Sequence, residues 1–169
     1  RSEQMLMRGI TTSRFADGGI TAEILYAAKK PLSKRVIIDK GVTHGVKPGM
    51  VAIDGTGLVG QITSSGPTTS ELTLMTAKDQ SVPVLVERTG LRAIVVGMGD
   101  SGAIEIPYLP GAADIRVGDT LTTSGIDGTY PPGLAVGVVQ RVERNAADTF
   151  PRVTARPLGG VDQHRLVMV

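Results

Sequence analysis

The sequence contains no cysteine and no tryptophan, and its aromatic residues amount to only 3%. The lack of cysteine excludes disulfide bonds, thiolate catalysis and cysteine-ligated metal sites, but it is as compatible with the periplasm as with the cytosol. Lysine and arginine number 18, against 16 aspartate and glutamate residues. Nucleic-acid-binding proteins usually concentrate basic residues and often interleave aromatic ones, so this composition does not favour a nucleic-acid partner.

Long apolar runs are also missing. No stretch approaches the roughly 18 apolar residues of a transmembrane helix, and no signal peptide opens the chain. The sequence begins at Arg1 rather than at a methionine. We therefore expect a fragment of a longer protein, whose targeting elements have been removed.

Glycine and proline are abundant, with 22 and 10 residues respectively, and hydrophobic residues make up 41% of the chain. This composition is sufficient for a buried core and leaves little room for long helices. Short runs rich in β-branched residues alternate with turns that contain glycine or proline, which is typical of barrels and sandwiches. The predicted strands cover residues 21–26, 35–39, 50–53, 58–63, 71–76, 82–87, 93–96, 104–109, 120–123, 135–142, 152–156 and 166–169.

An internal repeat indicates two related β units. The blocks within residues 46–62 are echoed by blocks within residues 115–139, with a boundary near residues 78–81. A glycine inside a strand usually marks a bulge or a sharp corner, so we expect Gly60 and Gly137 to lie where each sheet bends to close. The glycines to which we assign structural roles are Gly49, Gly57, Gly60, Gly118, Gly133 and Gly137.

The first residues differ in character from the rest of the chain. Residues 1–9 are good helix formers, but so short a helix does not hold alone in water. They are either the stub of a helix that continues upstream or a frayed terminus, and residues 11–19 form a polar loop.

The strongest indication of catalysis is Gly99-Asp100-Ser101-Gly102, which matches the nucleophile motif of trypsin-like serine proteases. His44 and Asp54 precede Ser101 in the chain order of that family. However, the motif has the composition of a hairpin turn between two strand-like runs, and Ala103 replaces the family's further glycine. We therefore prefer a turn, and the alternative is a double-barrel serine hydrolase that uses Ser101.

Neither a metal site nor a cofactor site is predicted. The two histidines, His44 and His164, are far apart and lack carboxylates at ligand spacing. Gly97, Gly99 and Gly102 have the spacing of a dinucleotide fingerprint, but a strand rather than a helix follows them.

What remains is typical of an interaction protein. Exposed strand edges offer pairing with a partner or with another copy of the chain. Large aromatic side chains are the usual anchors of a partner surface. The candidates are Tyr26, Tyr108, Tyr130 and Phe150.

Several sequence blocks between residues 45 and 137 belong together. They include Gly45-Val46-Lys47-Pro48-Gly49-Met50-Val51, Gly57-Leu58-Val59-Gly60-Gln61-Ile62, Thr123-Ser124-Gly125-Ile126-Asp127-Gly128 and Tyr130-Pro131-Pro132-Gly133-Leu134-Ala135-Val136-Gly137. In this order they resemble the MreC family of rod shape-determining proteins, over nearly the whole chain from about residue 21 to residue 169. Tyr130 stands where the family has phenylalanine in its Phe-Pro-x-Gly motif.

The resemblance implies an all-β fold of two small six-stranded β-barrel domains, preceded by the short helical stub of a coiled coil. Residues 1–19 are then the end of the coiled coil and a linker. Residues 20–80 form the first barrel, with residues 151–169 as candidates for completing it, and residues 81–150 form the second.

The resemblance also implies the periplasmic domain of a bitopic inner-membrane protein, anchored by a segment outside this sequence. Such a protein is a non-enzymatic scaffold of the cell-elongation machinery and needs no cofactor. Its implied partners are an elongation-specific class B penicillin-binding protein, MreD, further copies of itself and, indirectly, MreB filaments.

Overall fold

The computed structural model describes residues 19–27, 34–99, 102–126, 128–144, 150–159 and 166–169. The helix predicted over residues 1–9 lies outside these ranges. No helix within them is long and apolar enough to cross a membrane. The described residues form a short 3₁₀ helix, Val42–His44, and the strands β1 Thr21–Ala27, β2 Arg35–Ile38, β3 Val51–Ile53, β4 Leu58–Ser65, β5 Ser70–Leu74, β6 Ser81–Val86, β7 Arg92–Gly97, β8 Ile104–Glu105, β9 Thr120–Thr123, β10 Ala135–Glu143, β11 Arg152–Pro157 and β12 Leu166–Met168.

The strands form two closed antiparallel barrels. In the first, the order of neighbours is β1-β12-β3-β4-β5-β2, and in the second it is β10-β11-β8-β7-β6-β9. Closure leaves no long free edge, which is how small all-β proteins avoid uncontrolled pairing. The structure thus confirms the predicted all-β fold with two six-stranded barrels.

The last two strands belong to different barrels, whereas in the sequence both strands of residues 151–169 were candidates for completing the first. β11 pairs with β10 in the second barrel, from Gly137 opposite Pro157 to Glu143 opposite Arg152. This long hairpin keeps β11 beside the strand that precedes it. Only β12 returns to the first barrel, where it pairs with β1 and β3.

The first barrel closes through the two ends of the described chain. The Ile20 amide donates to the Val169 carbonyl at 3.1 Å, and the Val169 amide donates to the Ile20 carbonyl at 2.8 Å. The second barrel, which contains β6 to β11, is therefore inserted between β5 and β12 of the first.

The internal repeat has a counterpart in the hydrogen bonding. The Gly49 amide donates to the Ile62 carbonyl, and the Gly118 amide to the Val139 carbonyl, both at 2.8 Å. Gly49 and Gly118 have φ of 95° and 94°, a left-handed conformation that favours glycine. In both units the central strand pairs across two bulges, one toward each neighbouring strand. The meanders β3-β4-β5 and β9-β10-β11 are therefore built alike.

Gly60 and Gly137 pair beside the first bulge of each meander. A Cβ on Gly60 would collide with the Thr73 carbonyl oxygen, and one on Gly137 would lie 2.7 Å from the Arg156 carbonyl oxygen. The backbone of the next strand thus occupies the space that a side chain would need. Gly133, before β10, is another left-handed glycine, with φ of 86°.

The two barrels share one apolar cluster. Val51, Ile53 and Leu58 of the first barrel belong to the same buried cluster as the core of the second barrel. A Cβ on Gly57 would lie 2.5 Å from the Ala135 carbonyl oxygen, so the two backbones also approach closely. Because this contact is apolar and continuous with a core, it joins the barrels into one folded unit.

Candidate functional site

An open apolar groove with a volume of about 560 Å³ lies on the second barrel. We call it the β7 groove, since one wall is the hairpin of β6 and β7. The opposite wall is residues 107–110, and the end is formed by Ser124 and Ile126. The residues that line it are Pro83, Val84, Arg92, Ala93, Ile94, Val96, Pro107, Tyr108, Leu109, Pro110, Ser124 and Ile126.

The groove exists because β8 is shorter than its neighbours. β7 pairs with β8 only at Val96 and Gly97, although β7 begins at Arg92. The sequence predicted a strand over residues 104–109, and this prediction was wrong beyond Glu105. Pro107 has no amide to donate, and the next residue turns the chain away from β7. The barrel wall therefore opens between β7 and residues 107–110.

Large apolar side chains surround this opening and face solvent. Ile94 is 53% exposed, Ile126 is 66% exposed and Tyr108 is 76% exposed. Apolar residues that are scattered singly on a surface need no explanation, but a contiguous patch around a groove indicates an interaction site. The β7 groove is thus suited to bind an apolar partner.

Tyr108 is the most unusual residue of the groove. Its φ is 62°, in the left-handed region that a bulky residue rarely adopts. Such backbone strain costs on the order of 1–3 kcal/mol and persists mainly at functional sites. Its ring packs edge-to-face against Phe150, with the ring centroids 5.5 Å apart. The fold therefore presents this tyrosine to solvent at an energetic cost, with Phe150 as its support.

Two further contacts fix the walls of the groove. The Arg144 guanidinium, at the end of β10, donates to the carbonyls of Gly111 and Ala113, the latter at 2.8 Å. These carbonyls directly follow the wall of residues 107–110. The Ser124 amide donates to the Pro83 carbonyl at 3.0 Å and holds the end of the groove against β6. The groove is therefore formed before any partner arrives, which lowers the entropic cost of binding.

An ion-pair network anchors the loop that leads from this wall to β9. Arg88 Nε donates to Asp119 Oδ1 at 2.8 Å, and Arg88 Nη2 lies 3.1 Å from Asp114 Oδ1. The Arg116 amide also donates to Asp119, at 2.9 Å. The hydrogen bond from Arg88 is the main cause that lowers the pKa of Asp119 below its usual value. This network stabilises the fold and does not line the groove.

The structure separates the four aromatic candidates. Tyr108 and Phe150 meet at the groove, whereas Tyr26 is exposed on β1 of the first barrel. Tyr130 is only 3% exposed, and its hydroxyl donates to Gln61 Oε1 at 3.4 Å. Its assignment as a partner contact is therefore corrected: the ring is part of the buried cluster in which the two barrels meet.

The two described residues of the hydrolase alternative, His44 and Asp54, make local contacts within their own turns. Nδ1 of His44 accepts the Gly41 amide at 3.0 Å, so it carries no proton to donate to a carboxylate. The Asp54 carboxylate is buried and accepts the amides of Thr56 and Gly57 at 2.8 and 3.0 Å. A triad needs a hydrogen bond from His Nδ1 to the aspartate, and the His44 geometry opposes it. Ser101 lies outside the described residues.

Sequence reasoning missed Ile94 and Ile126, although each left a signal. Residues 93–96 are apolar without a break, while a half-buried strand would place polar residues at alternate positions. Ile126 is an apolar residue within a glycine-rich turn, where polar residues are usual. The first signal places apolar side chains on both faces of β7, and the second places one outside the regular strands.

The family described as "Rod shape-determining protein MreC, barrel core" matches residues 24–169. The cell shape-determining protein MreC of Escherichia coli is 33% identical over 150 residues, which are 89% of this chain and 41% of that protein. The chain thus spans about two fifths of the length of this relative. The crystal structure of MreC from Pseudomonas aeruginosa is 35% identical, with a TM-score of 0.85 over 89% of this chain and 97% of that one.

Two more distant structures share the fold. One is the major periplasmic domain from the cell shape-determining filament MreC, which is 18% identical with a TM-score of 0.74, covering 89% of this chain and 93% of that one. The other is a complex between the penicillin-binding protein PBP2 and MreC from Helicobacter pylori. Its MreC-like chain is 15% identical with a TM-score of 0.68, covering 89% of this chain and 95% of that one.

Proposed function

The chain belongs to the MreC family of rod shape-determining proteins, and we propose that it is the periplasmic part of a non-enzymatic scaffold for cell elongation. In this proposal a segment outside the sequence anchors the protein in the inner membrane. The barrels then present docking surfaces to the peptidoglycan-synthesis machinery. Support comes from the family itself and from a relative of the same fold whose structure is of a periplasmic domain.

The proposed partner of the second barrel is an elongation-specific class B penicillin-binding protein, and the proposed docking surface is the β7 groove. The observation that carries this assignment is the exposed cluster of Ile94, Tyr108 and Ile126, in which Tyr108 is held in a strained conformation. The MreC of Helicobacter pylori, which shares the fold, is found in complex with a penicillin-binding protein. A central aromatic anchor with apolar neighbours is the usual make-up of a binding hot spot.

The scaffold acts on its partner through differential affinity. A transpeptidase that exists in active and inactive conformations shifts toward the state that fits the groove better. The rigid walls of the groove favour this role, because a surface that does not rearrange can select one conformation of its partner. No catalytic residue of the scaffold is needed.

The first barrel leaves a second surface for the remaining partners of the proposal, which are MreD, further copies of the chain and, indirectly, MreB filaments. Tyr26 and Leu25 are exposed on β1, and Leu166 is exposed beside them on β12. A family relative is described as a filament, which supports self-association as part of the role. In this division, residues 20–80 with β12 serve assembly, and the second barrel serves transpeptidase docking.

The test is a titration of this chain with the soluble domain of the class B penicillin-binding protein from the same cell. Ile94→Asp places a charge in the β7 groove and is expected to weaken binding by about 30-fold or more, as for a hot-spot residue. Val42→Asp on the first barrel is the matched control, since Val42 is 57% exposed and Ile94 is 53% exposed, and it should bind normally. Failure of the unmodified chain to bind at high micromolar concentration would contradict a direct role.

A fluorophosphonate probe tests the hydrolase alternative. The scaffold proposal predicts no labelling of the chain. Stoichiometric labelling that disappears in Ser101→Ala would replace the scaffold with an enzyme.

A further inference from the structure

The backbone of β7 has hydrogen-bonding groups that point into the β7 groove. The Val86 amide donates to the Leu91 carbonyl at 2.8 Å, and Ile94 lies directly opposite Pro83. The Pro83 carbonyl accepts the Ser124 amide, so this carbonyl points toward β9 rather than toward β7. Opposed residues in an antiparallel ladder alternate between bonded and non-bonded pairs. The amides and carbonyls of Arg92 and Ile94 therefore face away from β6.

On the side of β7 that faces away from β6, β8 provides backbone partners only at Val96 and Gly97, the C-terminal end of β7. The pairing of Val96 with Glu105 would, if it continued, bring Pro107 opposite Ile94. Pro107 has no amide for the Ile94 carbonyl, and Tyr108 turns the chain away. Among the described residues, no backbone partner from residues 106–110 reaches Arg92 or Ile94. A short strand edge that has no backbone partner in the described part of the chain thus lies along one wall of the groove.

We propose that the β7 groove binds an extended segment of the transpeptidase as an added β-strand, paired with the free edge of β7 at Arg92 and Ile94. This inference rests on the proposed function and specifies how the partner binds. Strand addition gives affinity through main-chain hydrogen bonds and specificity through alternate side chains. The alternate apolar side chains of the segment enter the groove between Ile94 and Tyr108.

Charge adds a feature to the expected segment. Arg92 is exposed at the start of β7, at one end of the groove, and no carboxylate lies within ion-pair distance of it in the described part of the chain. An acidic residue near one end of the bound segment would complement it and set its direction. The segment is accordingly apolar at alternate positions, free of proline at the pairing positions, and acidic at one end.

Hydrogen exchange of the isotopically labelled chain, with and without the soluble transpeptidase domain, tests this mode of binding. The amides of Arg92 and Ile94 are expected to exchange at least tenfold more slowly in the complex. The amide of Val42, on the first barrel, donates to the Gly66 carbonyl, and its exchange should be unaffected. Binding without slower exchange at Arg92 and Ile94 would overturn strand addition and leave the docking function standing. Absence of binding would overturn both.

A pair of variants gives a second readout. Ile94→Pro removes the outward amide but no hydrogen bond between β6 and β7, and should weaken binding at least tenfold. Ile94→Val keeps the amide and an apolar side chain, and should lose less affinity than Ile94→Pro. Equal affinity of a folded Ile94→Pro protein would contradict the proposal. If Ile94→Pro does not fold, the exchange of the unmodified chain decides.

Discussion

Replacing Tyr108 with glycine should separate docking from folding. Glycine adopts φ of 62° without strain, which returns about 1–3 kcal/mol to the folded state. Two effects lower the stability of the variant. Loss of the edge-to-face contact with Phe150 costs about 0.5–1.5 kcal/mol, and the greater chain entropy of glycine in the unfolded state costs about 0.4–1 kcal/mol. Because the side chain is 76% exposed, little further burial is lost. At the midpoints of these ranges the terms nearly cancel, so we expect the free energy of unfolding to change by no more than about 1 kcal/mol.

The expected melting temperature of Tyr108→Gly lies within about 4 °C of the unmodified chain, since 1 kcal/mol corresponds to about 2–4 °C at this size. The affinity for the transpeptidase should fall by about 30-fold or more, because a hot-spot side chain contributes at least about 2 kcal/mol to the binding free energy. Calorimetry measures the first quantity and titration the second.

Tyr130→Gly provides the matched contrast. Tyr130 is 3% exposed, so loss of its ring should cost at least about 3–5 kcal/mol and lower the melting temperature by about 6–20 °C. A Tyr108→Gly protein that melts as low as Tyr130→Gly would refute the argument from strain. One that binds normally would refute the assignment of Tyr108 as an anchor.

Three further changes test the fold. Gly60→Val should prevent folding, because the new Cβ would collide with the backbone of β5. Gly111→Val is the control and should melt normally, because a Cβ at Gly111 would meet no atom within 4 Å. Equal melting temperatures for the two variants would contradict the predicted collision. Deletion of residues 166–169 removes β12 and should abolish cooperative unfolding in calorimetry, and an unchanged transition would mean that the first barrel closes without it. The pKa of Asp119 is lower in the folded chain than the ordinary carboxyl value of 3.8. Its ionised carboxylate therefore stabilises the fold at pH values above 3.8, and this stabilisation is lost as the pH falls through the lower folded value. Asp119→Asn should therefore be less stable at pH 7 by about 1–3 kcal/mol and lose less stability between pH 4 and 2, and parallel melting curves for the two proteins would contradict this.

Much of the fold could be predicted from the sequence, because its signals are local. Alternation and turn residues gave twelve strands, and twelve are found among the described residues. The glycine repeat predicted two related units, and the matching bonds of Gly49 and Gly118 have a local cause in their left-handed backbones. Which barrel receives β11 and β12 was less accessible, since pairing between distant strands depends on the whole topology.

The site was predicted less well, for a physical reason. Tyr108 follows Pro107 in a run that reads as a strand, and only the tertiary structure forces its φ to 62°. Tyr108 and Tyr130 are alike in composition-based reasoning, yet one is exposed and the other is buried between the barrels. The local rules therefore failed at the place where the chain departs from regular pairing, and that departure creates the groove.

Site-specific photocrosslinking tests most directly whether the β7 groove is the docking surface. A photoreactive residue is placed at Ile126, at the end of the groove, or at Val42, on the first barrel; both side chains are exposed. After mixing with the soluble transpeptidase domain and irradiation, the groove assignment predicts a crosslinked product from position 126 and none from position 42. A crosslink from position 42 with none from position 126 would contradict it.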